Sequence, residues 1–250
     1  MQLNKMIDHT KLGANVAQGQ IDTLIAEAKQ YDFKSVCVNP IWVSYAKKEL
    51  KNTDVLVCTV IGFPHGTHAK EVKHFEALEA VKAGADELDM VINVHALKSH
   101  DDAWVYKDIK GVVDAGQGRT VKVILETCYL SPEEIVRGCK IAVQAGAHFV
   151  KTSTGFGTYG ARIEDVKLMK DTVKDHAEVK ASGGVRTYVD ALAMIEAGAT
   201  RIGTSNGVDI VSKKEKKNDS NTTYWFNRCF TYCKNSAYAW RSLKSKIYCR

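Results

Sequence analysis

One pattern recurs three times along this 250-residue chain and restricts its fold more than any other feature. The segments AVKAGADELDMVI (80–92), AVQAGAHFVKTS (142–153) and MIEAGATRIGTS (194–205) each close a helical pattern. Each then passes through Ala-Gly-Ala and enters a short apolar run. Gly84, Gly146 and Gly198 suit the left-handed position that ends a helix. The run that follows has the length and content of a strand. A helix-stop-strand unit repeated along a chain is the mark of alternating β/α architecture.

The remaining strands fit the same scheme. Eight are predicted, at 6–10, 35–39, 55–62, 87–92, 121–126, 149–152, 179–182 and 201–203. Between them lie helical patterns: Val72, Phe75, Leu78 and Val81 at every third residue, Ile135, Cys139 and Ala142, and Val166, Met169 and Val173. Ser131-Pro132-Glu133-Glu134 is a helix start with a capping box, and Thr187 to Asp190 is a second. Eight alternating units in one undivided body predict an α/β fold of the TIM (β/α)8 barrel type, a single domain over 1–212. A doubly wound open sheet is the alternative, but IDHTKLG after the first strand is not the Gly-rich loop such sheets carry.

The end of the chain reads differently. Residues 213–250 hold ten Lys/Arg against two Asp/Glu, a net of +8, whereas residues 1–212 hold 25 against 27, a net of −2. Eight of the 21 aromatic residues and three of the seven cysteines also fall in this basic, aromatic-rich tail, which is not expected to be part of the barrel. Cys37, Cys58, Cys128 and Cys139 in the body form no CxxC pair and read as reduced thiols. The first twelve residues lack the apolar core of a signal peptide. No apolar run reaches the length of a membrane span. The expected compartment is the cytoplasm, with no membrane partner.

Catalytic groups of a TIM barrel sit at the C-terminal ends of its strands. Charges that interrupt apolar strands are therefore the candidates. Lys151, in HFVKTSTGFG, reads as an amine nucleophile or as an ammonium that snorkels out of the mouth or grips phosphate. Lys180, in EVKASGG, ends the next strand, so two lysines at matching heights approach each other. A like charge and partial burial both disfavour the ammonium form, which frees an amine near neutral pH. The alternative is a Lys180 paired with Glu178 on the same face. Asp89, in ELDMVIN, is placed to ion-pair with either lysine and to move protons through a water, or simply to form a structural pair. Asp8 and Glu126 are weaker candidates. Asp8 could hydrogen-bond at the first strand end, and Glu126 could neutralise a lysine.

Three glycine-bearing loops follow strands six, seven and eight: Ser153-Thr154-Gly155, Ser182-Gly183-Gly184 and Gly203-Thr204-Ser205. Glycines let backbone N–H groups approach an anion, and barrels often hold phosphate there. Arg186 could add a charged contact. His65 and His68 have no third ligand beside them and read as loop residues, so no metal is expected. HExxH and Walker A patterns do not occur.

The body resembles the deoxyribose-phosphate aldolase family of class I aldolases. The segments that carry the resemblance are IDHTKL (7–12), SVCVNP (35–40), VCTVIGFPHG (57–66), ADELDMVIN (85–93), VKVILET (121–127), FVKTSTGF (149–156), VKASGGVR (179–186) and RIGTSNG (201–207). The resemblance implies a TIM-barrel lyase that reversibly cleaves 2-deoxy-D-ribose 5-phosphate to D-glyceraldehyde 3-phosphate and acetaldehyde, without a cofactor. It implies Lys151 as the Schiff-base lysine, Lys180 as its pKa-lowering and proton-transfer partner, and Asp89 as the proton donor and acceptor through water. It implies Gly155, Gly183, Gly184, Gly203 and Ser205 as the phosphate grip, and a monomer or homodimer. Cys37 reads as a small buried apolar residue.

After Gly207 the resemblance fades. Tyr224 looks like the family's natural terminus, and residues 225–250 have no counterpart in it. They read as translation past a lost stop codon or as a real extension. Two other functions are kept open: nucleic-acid binding through the basic tail, which the intact body does not require, and a sugar-phosphate-binding pseudoenzyme, against which Lys151, Lys180 and Asp89 argue.

Overall fold

All eight predicted strands form, and they close on themselves in chain order with every neighbouring pair parallel. They are β1 (Ile7–Lys11), β2 (Ser35–Val38), β3 (Leu56–Ile61), β4 (Glu87–Val91), β5 (Thr120–Ile124), β6 (Phe149–Lys151), β7 (Glu178–Ser182) and β8 (Arg201–Thr204). The helices between and after them are α1 (Gln18–Gln30), α2 (Val43–Glu49), α3 (Lys70–Lys82), α4 (Val94–Lys98), α5 (Asp102–Ala115), α6 (Pro132–Gln144), α7 (Ile163–Val173), α8 (Tyr188–Glu196) and α9 (Gly207–Lys216). The architecture is the expected (β/α)8 barrel. The computed structural model describes residues 2–216, and side chains through Ser212. Most of the basic tail therefore lies outside the described residues, with everything expected of 225–250. No helix among the described residues is long and apolar enough to cross a membrane.

Local chemistry explains the elements. Gly84, Gly146 and Gly198 all have positive φ, so the recurring Ala-Gly-Ala does stop a helix and turn the chain into a strand. Ser131 and Thr187 form the two predicted capping boxes, with Glu134 and Asp190 accepting from the Ser131 and Thr187 backbone N–H groups. The stripes on α6 and α7 are buried as expected. Strands β2 and β4 are buried along their whole length, as helices on one face and a filled barrel on the other require.

The stripe predicted for α3 is corrected. Val72 and Phe75 are exposed, and the buried face carries Lys73, Ala77, Ala80 and Val81. A three-residue period drifts around a helix of 3.6 residues per turn, so the stripe begins outside and reaches the core only at Val81. Lys73 is fully buried because its Nζ meets Asp108 of α5 at 2.6 Å and donates to the Val91 carbonyl at 2.9 Å.

Register then sets the heights of the interior charges. Lys151 stands opposite Lys180, Lys180 opposite Arg201, and Asp89 opposite Lys122. Successive strand residues alternate between barrel interior and helix layer, so each of these charges is aimed inward by parity alone.

Candidate active site

The barrel interior holds a connected layer of seven charged side chains: Asp8, Glu87 and Asp89 with Lys122, Lys151, Lys180 and Arg201. Asp89 is its centre. Its Oδ2 accepts from Lys151 Nζ and from Lys180 Nζ, each at 2.8 Å, so the two lysine nitrogens are no more than twice that distance apart. Its Oδ1 accepts from Lys122 at 2.8 Å and from the Cys58 thiol at 3.2 Å. Burial pushes the Asp89 carboxyl up, but the three ammonium groups outweigh it and hold the group well below the usual carboxylate range.

The three lysines differ in what else they touch. Lys122 also meets Glu87 at 2.6 Å, and Lys180 also meets Asp8 at 2.5 Å. Burial lowers both, yet the paired carboxylates prevail and raise them, so each stays protonated. Among the described residues Lys151 pairs with Asp89 alone, and that charge is divided among three cations. Of the three, Lys151 is the one that lines the open cavity at the mouth.

That cavity measures about 340 Å³ and runs from Lys151 to the loops after β6, β7 and β8. Gly155, Gly183, Gly184, Gly203 and Ser205 all line it, so the structure brings the whole sequence-derived set to one place. Two of these glycines are required by contact. A Cβ on Gly203 would lie 3.0 Å from Lys180 Cε, so its absence makes room for that side chain. Gly183 has φ +81°, and a Cβ on Gly160 would lie 2.1 Å from its carbonyl oxygen, so the two backbones touch. Hydroxyls tie the loops to each other: Ser182 Oγ donates to the Ser153 carbonyl at 2.6 Å and Thr204 Oγ1 to that of Val185 at 2.7 Å. Arg186 lines the cavity as well.

Several sequence expectations change. Lys180 does not pair with Glu178, which is exposed at the other end of β7 and faces Lys170 at 3.8 Å. Asp8 does more than close a strand end: it binds Lys180, Arg201 and the Ser35 hydroxyl. Among the described residues Glu126 pairs with no lysine; its carboxyl accepts from the Thr154 backbone and hydroxyl. Cys37 is buried as expected. Its thiol, the Cys58 thiol and the Asp89 carboxyl lie within 4.8 Å of one another. Among the described residues these three are the one grouping with metal-ligand spacing, but both Asp89 oxygens are already held by cations.

The sequence reading does not include Lys122, Glu87 and Arg201, although Lys122 lies between two valines and Glu87 and Arg201 each open an apolar strand. Lys11 was missed too; it lines the cavity from the end of β1.

Comparison with known proteins agrees with this geometry. A model of the DeoC/LacD family of aldolases matches residues 3–213. The deoxyribose-phosphate aldolase of Acholeplasma laidlawii is 58% identical over 224 residues, which span 90% of this chain and all of that protein. That of Streptococcus sanguinis is 57% identical over 88% of this chain and all of its own length. The solved tetrameric deoxyribose phosphate aldolase of Aeropyrum pernix superposes with a TM-score of 0.80 at 34% identity, covering 85% of this chain and 91% of that one.

Proposed function

The chain belongs to the DeoC/LacD family of aldolases, and on that premise we propose that it cleaves 2-deoxy-D-ribose 5-phosphate reversibly to D-glyceraldehyde 3-phosphate and acetaldehyde through a Schiff base on Lys151. The observation that carries the reading is the position of Lys151. It is the one interior lysine that reaches the cavity, and it shares the Asp89 carboxylate with a second lysine that has a carboxylate of its own.

The neutral amine of Lys151 adds to the aldehyde carbon of the open-chain sugar, and loss of water gives an iminium. The C3 hydroxyl gives up its proton, the C2–C3 bond breaks, and its electron pair flows into the iminium to leave an enamine. Glyceraldehyde phosphate departs. The enamine is protonated at C2, and water releases acetaldehyde and the amine. Asp89, held ionised, accepts and returns protons through a water. Lys180 stays cationic and donates to the same Asp89 oxygen as Lys151, which holds the two side chains side by side. The loops bearing Gly155, Gly183, Gly184, Gly203 and Ser205 offer backbone N–H groups to the phosphate, with Arg186 beside them. This remote grip fixes the reacting carbons over the amine. A cytoplasmic location suits small soluble metabolites of this kind.

Borohydride reduction in the presence of acetaldehyde, followed by peptide mapping, tests the assignment. The expected result is a two-carbon adduct on Lys151. An adduct elsewhere, or none, refutes the mechanism.

A further inference from the structure

We propose that Glu126 is a positioning residue for the phosphate grip, acting through Thr154 on Gly155; this rests on the aldolase reading of the same cavity. Glu126 sits just past β5 with φ 55° and ψ 65°, a left-handed conformation that a residue with a side chain seldom adopts. Such a conformation persists where the surroundings hold it, and it often marks a functional position. Here it turns a carboxyl with 3% exposure sideways into the loop that follows Lys151.

The contacts form a clamp. The Thr154 N–H donates to both Glu126 oxygens at 3.3 Å, and the Thr154 hydroxyl donates to Oε2. That hydroxyl in turn accepts from the Phe156 N–H at 3.0 Å. The residues on either side of Gly155 are thus fastened to one carboxyl, directly at Thr154 and through its hydroxyl at Phe156. Gly155 itself has φ +88°, lines the cavity, and has no atom within 4 Å of where a Cβ would lie. Its conformation is therefore held through its two fastened neighbours, Thr154 and Phe156.

The same loop is held further along. A Cβ on Gly157 would lie 2.5 Å from Cys128 Sγ and 3.1 Å from Glu126 Oε1. Tyr159 Oη donates to the Thr127 carbonyl at 3.2 Å. Ala161 N donates to the Gly183 carbonyl at 2.9 Å, which joins this loop to the next glycine loop of the grip. The turn at 126–128 therefore serves as the anchor from which the spacing between Gly155 and Gly183 is held. Glu126 touches neither Lys151 nor Asp89 by hydrogen bond among the described residues, so its effect falls on phosphate recognition.

The test compares kcat/KM for 2-deoxyribose 5-phosphate with that for 2-deoxyribose, which lacks the phosphate. In Glu126→Ala the preference for the phosphorylated sugar should fall about tenfold or more, chiefly through KM, as displacement of positioning groups does. Glu126→Gln keeps an oxygen for the Thr154 N–H and should recover most of the preference. Thr154→Val, which cuts the link to Phe156, should reproduce part of the loss and serves if Glu126→Ala does not fold. Equal losses on both sugars, or none, would overturn the proposal. The aldolase reading fails separately, by absence of the Lys151 adduct in the wild-type protein.

Discussion

Lys73 and Asp108, between α3 and α5, are as deeply buried as the charges inside the barrel, yet burial acts on the two sets in opposite directions. In the helix layer each ion has one close partner. Desolvation prevails there, pushing the Lys73 ammonium down and the Asp108 carboxyl up toward their neutral forms. In the barrel most ions have two or more partners. Attraction prevails, lowering Asp8 and Asp89 and raising Lys122, Lys180 and Arg201. A single buried pair barely offsets the loss of water, whereas a network keeps its members charged. The network has one weakly supported member, Lys151, and that lysine faces the cavity.

The largest effect that would test this contrast is on Lys151. Lys151→Ala should lower turnover by at least about 10³-fold, since the proposed covalent route is lost. It should also abolish borohydride labelling by acetaldehyde while the barrel stays folded. Retention of labelling would mean that another network lysine carries the chemistry.

In the helix layer the main effect should be on stability. Asp108→Ala leaves Lys73 buried without its partner and should cost about 3–5 kcal/mol by denaturant unfolding. A loss under 1 kcal/mol would show that Lys73 sheds its proton readily and that the pair matters little.

Lys180→Leu should lower kcat by about 10²-fold, the scale of a positioned proton-transfer group. A kcat close to that of the wild type would break the link between the two lysines.

Acid should separate the two sets more gently. Asp8 and Asp89 have folded values below their unfolded ones. Their contribution is therefore present above the unfolded carboxylate pKa, about 3.9, and is lost as pH falls below it. By pH 3 each should have given up about 1 kcal/mol. Asp108 has the reverse sign and contributes no such loss. Unfolding free energies measured between pH 5 and pH 3 check the slope, and a flat curve contradicts it. The smallest change is expected from Lys73→Met with Asp108→Leu. Replacing an isolated pair by apolar groups of similar size should leave stability within about 1 kcal/mol or raise it, with turnover unaltered.

Much of this was legible in the sequence, and the limits are instructive. The barrel followed from the repeated Ala-Gly-Ala stops, because helix ends and strand entries are local chemistry. Lys151, Lys180 and Asp89 were legible because a charge between apolar residues needs a reason. Lys122 carried the same mark and Arg201 opens an apolar strand, but their partners Glu87 and Asp8 lie on other strands, and no spacing along the chain reveals a contact across a barrel. Lys180 and Glu178 show the opposite error: alternation put them on one face, while two residues of rise placed Glu178 at the exposed end. The outward turn of Val72 and Phe75 was hidden because an interior lysine took the place of an apolar residue on α3. Glu126 could not be read from its neighbours, since its direction depends on a backbone angle that the flanking residues do not announce.

The pairing of Lys151 with Lys180 across β6 and β7 constrains how such a protein can change over time. A strand has two faces and nothing between them. Gaining or losing one residue within either strand would swing its lysine from the interior to the helix side in a single step. Loops at the mouth can lengthen or shorten by degrees, and substrate range can drift with them. If the two amines carry the reaction as proposed, they admit no such gradual adjustment: a lineage keeps this strand length or gives up the reaction.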